Sequence, residues 1–531
     1  MTTLIQNGLI VDGTGADAFA GDVVVDGETI AAVVPRDAAE PLPRERFDRT
    51  IDAAGCLVTP GFIDAHAHSD AYLVIEPDAP SKISQGVTTE INGQCGGSVA
   101  PRYGEARLSS DWAAILGERL TWRSLSEYRA TLEAARPALN TIQFIGHNTL
   151  RASVVGYAGR AATPDERARM TRLLEESLDA GGWGLTTGLI YQPGKYATPD
   201  EVTALAKVAA AKGGFYATHM RSEGDRILEA IDEVIDLVKA TGIRAEISHL
   251  KTSGKRNWGK IDAVLEKIEG AMAAGLLLGS DRYPFCAAGT DLDVVFPDWA
   301  GEGAAKAECA RLADPATRRR IVDEINAQDR DWSTVMIGGT WHADNKAYCG
   351  KTVAEILAAC AVQTGARPTP GELICAILEK DGCKTGAFFF GMSEANLDKI
   401  LARPWILPGS DASLRAPWGP LGADHPHPRA YATMPEFYRR LRALGVTREA
   451  AVRRMTGAVA DRFGIKGRGV LARGNFADLA VWREDDFRMN ATYLQPHRFS
   501  SGVKLTMVNG AIPYRDGAFT GARAGRLLER T

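Results

Sequence analysis

Imidazole nitrogens, a thiolate and a carboxylate are the donors that hold a zinc-like ion, and the 531-residue sequence contains nine histidines and eight cysteines. Two of the histidines, His66 and His68, stand one residue apart in Pro60-Gly61-Phe62-Ile63-Asp64-Ala65-His66-Ala67-His68-Ser69-Asp70. The run before them, Cys56-Leu57-Val58-Thr59, is apolar and β-leaning. In an extended strand alternate residues point the same way, so both imidazoles project to one side. That makes half of a nitrogen-preferring divalent-metal site. Taken alone, the pair is equally well an ordinary surface or core pair.

The elements that must position such donors alternate along the middle of the chain. Strand-like runs fall at 57–66, 86–92, 141–147, 183–191, 214–219, 243–249, 276–283 and 405–411. Helices lie between several of them. Thr163-Pro164-Asp165-Glu166 is a capping box with proline at the first helical position, and Thr198-Pro199-Asp200-Glu201 repeats it. A third helix carries Ile227, Ile231, Val234 and Val238 on one face. Strand–helix alternation indicates a parallel sheet, and eight such strands fit a closed (β/α)8 TIM-type barrel.

Both ends read differently. Short β-type runs are broken by Asp12-Gly13 and Asp26-Gly27 near the start, and by Asn509-Gly510 and Asp516-Gly517 near the finish. The expectation is a small β-sandwich domain built from both termini, residues 1–57 and 468–531, beside a barrel over 58–467. Between strands seven and eight the connection, about 289–404, is too long for one helix. It has its own strand near 333–337 and helices near Lys351 and Pro370, and is expected to be an insertion or lid over the site.

Enzymes on this barrel place their chemistry at the C-terminal strand ends. Those ends carry His66 and His68, Cys95, His147, Tyr191, His219, His249, Asp281 with Tyr283, and Asp411, so five of the nine histidines cluster there. An ion held by such a set lowers the pKa of a bound water to about 7. Asp411 can accept that water's proton and deliver it to a leaving nitrogen. Cys95 lies in Gly93-Gln94-Cys95-Gly96-Gly97, a tight loop that bares the side chain, which favours a ligand over a buried structural thiol. His147 reads as a satisfied core histidine or one behind the ligands.

Composition narrows the class. The chain is 45% hydrophobic and 24% charged with a net charge of −4, so no basic excess supplies contacts to nucleic acid or an anionic membrane. No run of about 18 apolar residues offers a membrane span. The start lacks a basic segment before an apolar core, so no secretory signal is expected. The cysteines form no CxxC pair and read as reduced thiols of a cytoplasmic protein.

With these residues in place the chain resembles the amidohydrolase superfamily, and within it the N-acyl-D-amino-acid deacylase (D-aminoacylase) family. The resemblance spans nearly the whole chain. It runs from Asn7-Gly8-Leu9-Ile10-Val11-Asp12-Gly13 through the His66–His68 stretch and Gln94-Cys95-Gly96, then Gly184–Gly194 and His219-Met220-Arg221-Ser222-Glu223-Gly224-Asp225. Ser248-His249-Leu250-Lys251, Asp281-Arg282-Tyr283, Gly409-Ser410-Asp411 and His425-Pro426-His427-Pro428-Arg429 follow. The first motif marks only the superfamily; the cysteine loop, the His219–Asp225 stretch and the last motif are narrower.

The resemblance implies zinc, one ion or two, held by His66, His68, Cys95, His219 and His249, with Asp411 beside the metal as the catalytic carboxylate. It implies Lys251, Tyr191, Tyr283 and Arg429 as contacts to the substrate carboxylate, although Lys251 and Arg429 could also be solvated surface charges. The implied substrate is a small N-acyl-D-amino acid. Residues 412–428 and the stretch Tyr431–Glu436 depart from the family pattern where the acyl or side-chain pocket should lie. The readings that remain beside it are a ring-opening hydrolase of cyclic amides, hydantoinase- or dihydroorotase-like, and a non-catalytic metal-binding scaffold. The preferred side chain, the acyl group and any self-association into a homo-oligomer stay open.

Overall fold

The structure is a computed structural model that describes residues 1–37, 47–108, 113, 115–364 and 367–530. Three parallel strands, β6 (Phe62–Asp64), β7 (Val87–Asn92) and β8 (Asn140–Gln143), form one sheet. Six more form a second: β9 (Ile145–Gly146), β10 (Gly184–Gly188), β11 (Phe215–His219), β12 (Arg244–Ile247), β13 (Leu278–Arg282) and β17 (Ile406–Pro408). The two sheets are linked at both edges. On one side Phe144 N donates to Asn92 O (3.0 Å) and Trp183 N to Gln143 O (2.8 Å); on the other, Ala65 N donates to Pro408 O (3.0 Å).

Both faces of these strands are largely buried, as expected of parallel strands covered on each side. Ile63, Ala65, Ile91 and Phe144 pack with Val459 and Phe463 in one cluster. Phe62, Val87 and Leu185 belong to another, shared with helices Pro164–Asp179 and Ile227–Thr241 through Met170, Leu174 and Ile231.

The strand expected over 57–66 is in fact two. β5 (Leu57–Pro60) pairs with β1 (Thr2–Ile10) and β18 (Leu479–Trp482), outside the parallel strands altogether. The break falls at Gly61, where a Cβ would stand 2.2 Å from the Thr88 side chain, so the chain can pass from one sheet to the other only as glycine. His66 and His68 therefore follow a three-residue strand instead of ending a long one; their rings still lie together, with centroids 5.2 Å apart.

The two ends of the chain do assemble together. Pairing runs through nine strands: β21 (Ala518–Phe519), β20 (Ala511–Arg515), β19 (Val503–Val508), β18, β5, β1, β2 (Phe19–Asp26) and β3 (Thr29–Pro35), with β4 (Arg49–Asp52) on β1. Asp26-Gly27 and Asn509-Gly510 turn hairpins as expected, whereas the Asp12-Gly13 pair lies inside a longer connection over residues 11–18.

Between β13 and β17 the chain builds β14 (Ala288–Asp291), β15 (Val335–Ile337) and β16 (Gly386–Phe389), an antiparallel sheet of their own. Helices Pro315–Asn326 and Pro370–Lys380 cover it, and Ile321, Ile325, Ile337 and Ile374 form a separate core. Among the described residues no helix is long and apolar enough to cross a membrane.

One capping expectation is corrected. Thr163 and Glu166 form the full box, but at Thr198 only the hydroxyl caps, accepting from Glu201 N at 3.2 Å. Glu201 turns inward, 2.7 Å from Arg151 Nη1 and 2.9 Å from His147 Nε2, with all three side chains buried. A buried pair of this kind outweighs a cap that water could replace. Replacing Arg151 with Met leaves the Glu201 carboxylate buried without its guanidinium and should cost about 3–5 kcal/mol, read as a drop in the thermal midpoint.

Candidate active site

At the C-terminal ends of the parallel strands, donors from five segments converge on one sulfur. Cys95 Sγ lies 3.4 Å from His66 Nε2 and 3.3 Å from His249 Nε2. Two groups share it: His66, His68, Cys95 and Asp411, and Cys95, His219 and His249, with the donor atoms of each within 4.8 Å of one another. His68 Nε2 is 3.0 Å from Asp411 Oδ1.

The outward nitrogens are held in place from behind. His66 Nδ1 meets Asp281 Oδ2 at 3.1 Å, and the other oxygen of the same carboxylate accepts from His249 N at 2.9 Å. His249 Nδ1 lies 2.9 Å from Glu223 Oε1 and 2.7 Å from Lys251 Nζ, and Lys251 also pairs with Glu223. Both rings are thus fixed through Nδ1 with Nε2 turned to the sulfur, the arrangement that orients imidazoles toward a metal. His219 is buried, and neither ring nitrogen has a hydrogen-bond partner among the described residues. A buried polar ring left in that state needs a partner, and a cation between it and Cys95 supplies one.

Charge follows the same plan. Burial pushes the Cys95 thiol up, but His66 and His249 outweigh it and hold the thiol well below its ordinary value. For Asp411, burial is likewise outweighed by Arg429 and His249, so its carboxyl sits well below the usual range. Burial and Lys251 push His249 down, yet Glu223, Cys95 and Asp411 raise it to about 10. Anionic sulfur and carboxylate enclosed by imidazoles form a soft, mixed donor set that suits zinc. The two overlapping groups accommodate one ion or two.

Three of the residues that meet here have left-handed backbones without being glycine: Cys95 (φ 52°), His249 (φ 39°) and Asp411 (φ 49°). Such residues cost about 1–3 kcal/mol each and persist only where the surroundings hold them. At Cys95 the surroundings include Gly96, whose missing Cβ would stand 2.2 Å from Asn148 Oδ1.

The expected carboxylate contacts border the same cavity, a space of about 2830 Å³. Arg429 Nη1 lies 2.8 Å from Asp411 Oδ2, and Nη2 donates to Gly289 O at 3.2 Å. Its guanidinium is stacked 4.7 Å from the centre of the Tyr283 ring, whose hydroxyl is buried with no hydrogen-bond partner among the described residues. The Tyr191 ring is 4.7 Å from that of His219. Lys251 and Arg429 are buried, so neither is a solvated surface charge. His147 stands apart, engaged with Glu201. Sequence reasoning gave no role to Glu223 or Asp281; the spacing of Glu223 four residues after His219, and the place of Asp281 at a strand end, were the available signals.

The amidohydrolase family matches residues 49–514, and the chain belongs to that family. It is 33% identical over 533 residues to the N-acyl-D-glutamate deacylase of Alcaligenes xylosoxydans xylosoxydans, covering 99% of this chain and 96% of the relative. The crystal structure of a D-aminoacylase is similar at a TM-score of 0.81 and 33% identity, with 99% of both chains covered. That of N-acyl-D-glutamate deacylase from Bordetella bronchiseptica, complexed with zinc and a phosphonate mimic of the tetrahedral intermediate, is similar at 0.81 and 31% identity, again over 99% of both chains.

Because one carboxylate holds both the His66 ring and the backbone of His249, Asp281→Ala should weaken zinc binding by about 10–100-fold, measured by competition with a chelator of known affinity.

Proposed function

We propose that this amidohydrolase is a zinc-dependent N-acyl-D-amino-acid deacylase, cleaving the linear amide to a carboxylate and a free D-amino acid. The observation that carries the reading is the position of Asp411, between His68 of the donor groups and the Arg429 guanidinium. It is supported by 33% identity along the whole chain to an N-acyl-D-glutamate deacylase. The zinc bound by a similar chain together with a mimic of the tetrahedral intermediate supports it further.

In this reading His66, His68, Cys95, His219, His249 and Asp411 hold the metal. Zinc there supplies a Lewis acid that polarises the amide carbonyl and activates water. Asp411 takes a proton from the attacking water and returns it to the departing amine, which must be protonated to leave. Its carboxyl is held ionised by Arg429 and His249, so it is ready to accept.

Arg429, with Tyr283 stacked beneath it, offers a planar fork to the substrate's α-carboxylate, and Lys251 and Tyr191 complete the grip. A cyclic imide has no free carboxylate and leaves these groups without work, which favours the linear substrate over ring opening. A non-catalytic scaffold gives Asp411 no task. We further read the two linked parallel sheets as one closed (β/α)8 barrel over 58–467, with residues 1–57 and 468–531 as the small domain and 289–404 as the insertion. Eight free cysteines support a reducing, cytoplasmic setting.

Assayed for amine release on N-acetyl- and N-formyl-D- and L-amino acids, the zinc-loaded enzyme should turn over the D series; equal rates on both enantiomers would overturn the stereochemical assignment. Asp411→Asn should abolish turnover while zinc stays bound. Arg429→Met should raise KM on the order of 100-fold through loss of a buried charge-assisted contact, and an unchanged KM would remove Arg429 from the carboxylate site.

A further inference from the structure

Behind the wall that carries His66 and Asp411 lies a buried ionic cluster that no step above uses. Lys82, in the short helix Pro80–Ile83, is 1% exposed, and its partners Asp64 and Glu90 are 0% exposed. Its ammonium is 2.8 Å from Asp64 Oδ2 and 2.7 Å from Glu90 Oε1. It donates to Ser410 Oγ at 2.9 Å and to Ala412 O at 3.1 Å. Asp64, Glu90 and Lys82 are all buried, and none of them lines the reacting cavity.

We propose that Lys82 is a positioning residue that sets Asp411 against His66 and His68; this rests on the deacylase reading, in which Asp411 moves the proton. The ammonium touches the chain immediately before and immediately after Asp411, but not the Asp411 side chain. Asp64, which it neutralises, uses its other oxygen to accept from Ser410 N at 2.8 Å and His66 N at 3.3 Å. Asp411 N in turn donates to His66 O at 2.8 Å. Residues 410–412 and residue 66 are therefore fastened to each other by one polar knot at the edge where β6 meets β17. Asp411 sits in the middle of that knot with φ 49°, a conformation the chain does not hold unaided.

A buried ion cluster is weak evidence for stability, since apolar groups of the same shape often serve as well. What apolar groups cannot do is bind three backbone groups and a hydroxyl at set distances. A shift of about 1 Å in a catalytic group costs on the order of 100-fold in rate, so the geometry is where the effect of this cluster should be read.

The test compares full-length, zinc-loaded Lys82→Met, Ser410→Ala and the neutralised triple variant Lys82→Met, Asp64→Asn, Glu90→Gln with wild type. Lys82→Met should lose on the order of 100-fold in kcat on an N-acetyl-D-amino acid, with KM and zinc content unchanged. Hydrogen exchange should quicken in the peptides spanning 405–414 and 62–68, the two segments the knot fastens together, and not in the terminal sheet or the insertion. The triple variant, relieved of its unpaired buried carboxylates, should regain the thermal midpoint and keep the low kcat. Should Lys82→Met fail to fold, the triple variant and Ser410→Ala decide the matter. Recovery of kcat together with stability in the triple variant, or unchanged kcat and exchange in either folded variant, overturns the proposal. If wild type turns over no N-acyl-D-amino acid, the deacylase reading falls, and the exchange measurement still decides whether Lys82 holds Asp411.

Discussion

One half-buried sulfur makes the rest of this structure necessary. An anionic donor removed from water must be matched by positive charge or pay heavily in free energy, and Cys95 belongs to both donor groups at once. Four imidazoles gather around it, and each then needs its own outer partner. Asp281 and Glu223 meet that need for His66 and His249, and Lys251 offsets the charge that Glu223 brings. Each layer of polar groups thus calls for the next, until the sequence of compensations ends in the surrounding apolar clusters. The strand order is what lets residues nearly 350 positions apart take part in one such arrangement.

Much of this could be read from the chain because zinc-type donors are few and strand ends are easy to find. His66, His68, Cys95, His219, His249 and Asp411 stood out by residue type and by their place after apolar runs. What could not be read were pairings between segments that the sequence does not bring together. Glu201 looks like a capping glutamate until Arg151, fifty residues earlier, is placed beneath it. The division of 57–66 into β5 and β6 depends on the Thr88 side chain that crowds Gly61, and local β-propensity carries no record of that contact. Glu223 likewise acquires its meaning only when His249 and Lys251 come alongside.

The insertion adds a different kind of control. It has its own sheet and its own core, yet through Gly289 O it touches Arg429, the cation nearest Asp411. A unit with its own core therefore contributes to the wall around Arg429. Ser413, Arg415, Asp424 and His425 border the same space.

The left-handed backbones at Cys95, His249 and Asp411 carry a consequence for anyone seeking a hardier enzyme. Surveys for stabilising substitutions favour positions where relaxed glycine or asparagine relieves backbone strain, and they would nominate these three. In the proposed function each of them also holds the metal, so the gain in heat tolerance would be taken from turnover. Durability has to be sought elsewhere, in the terminal sheet or the insertion, and the three strained positions left as they are.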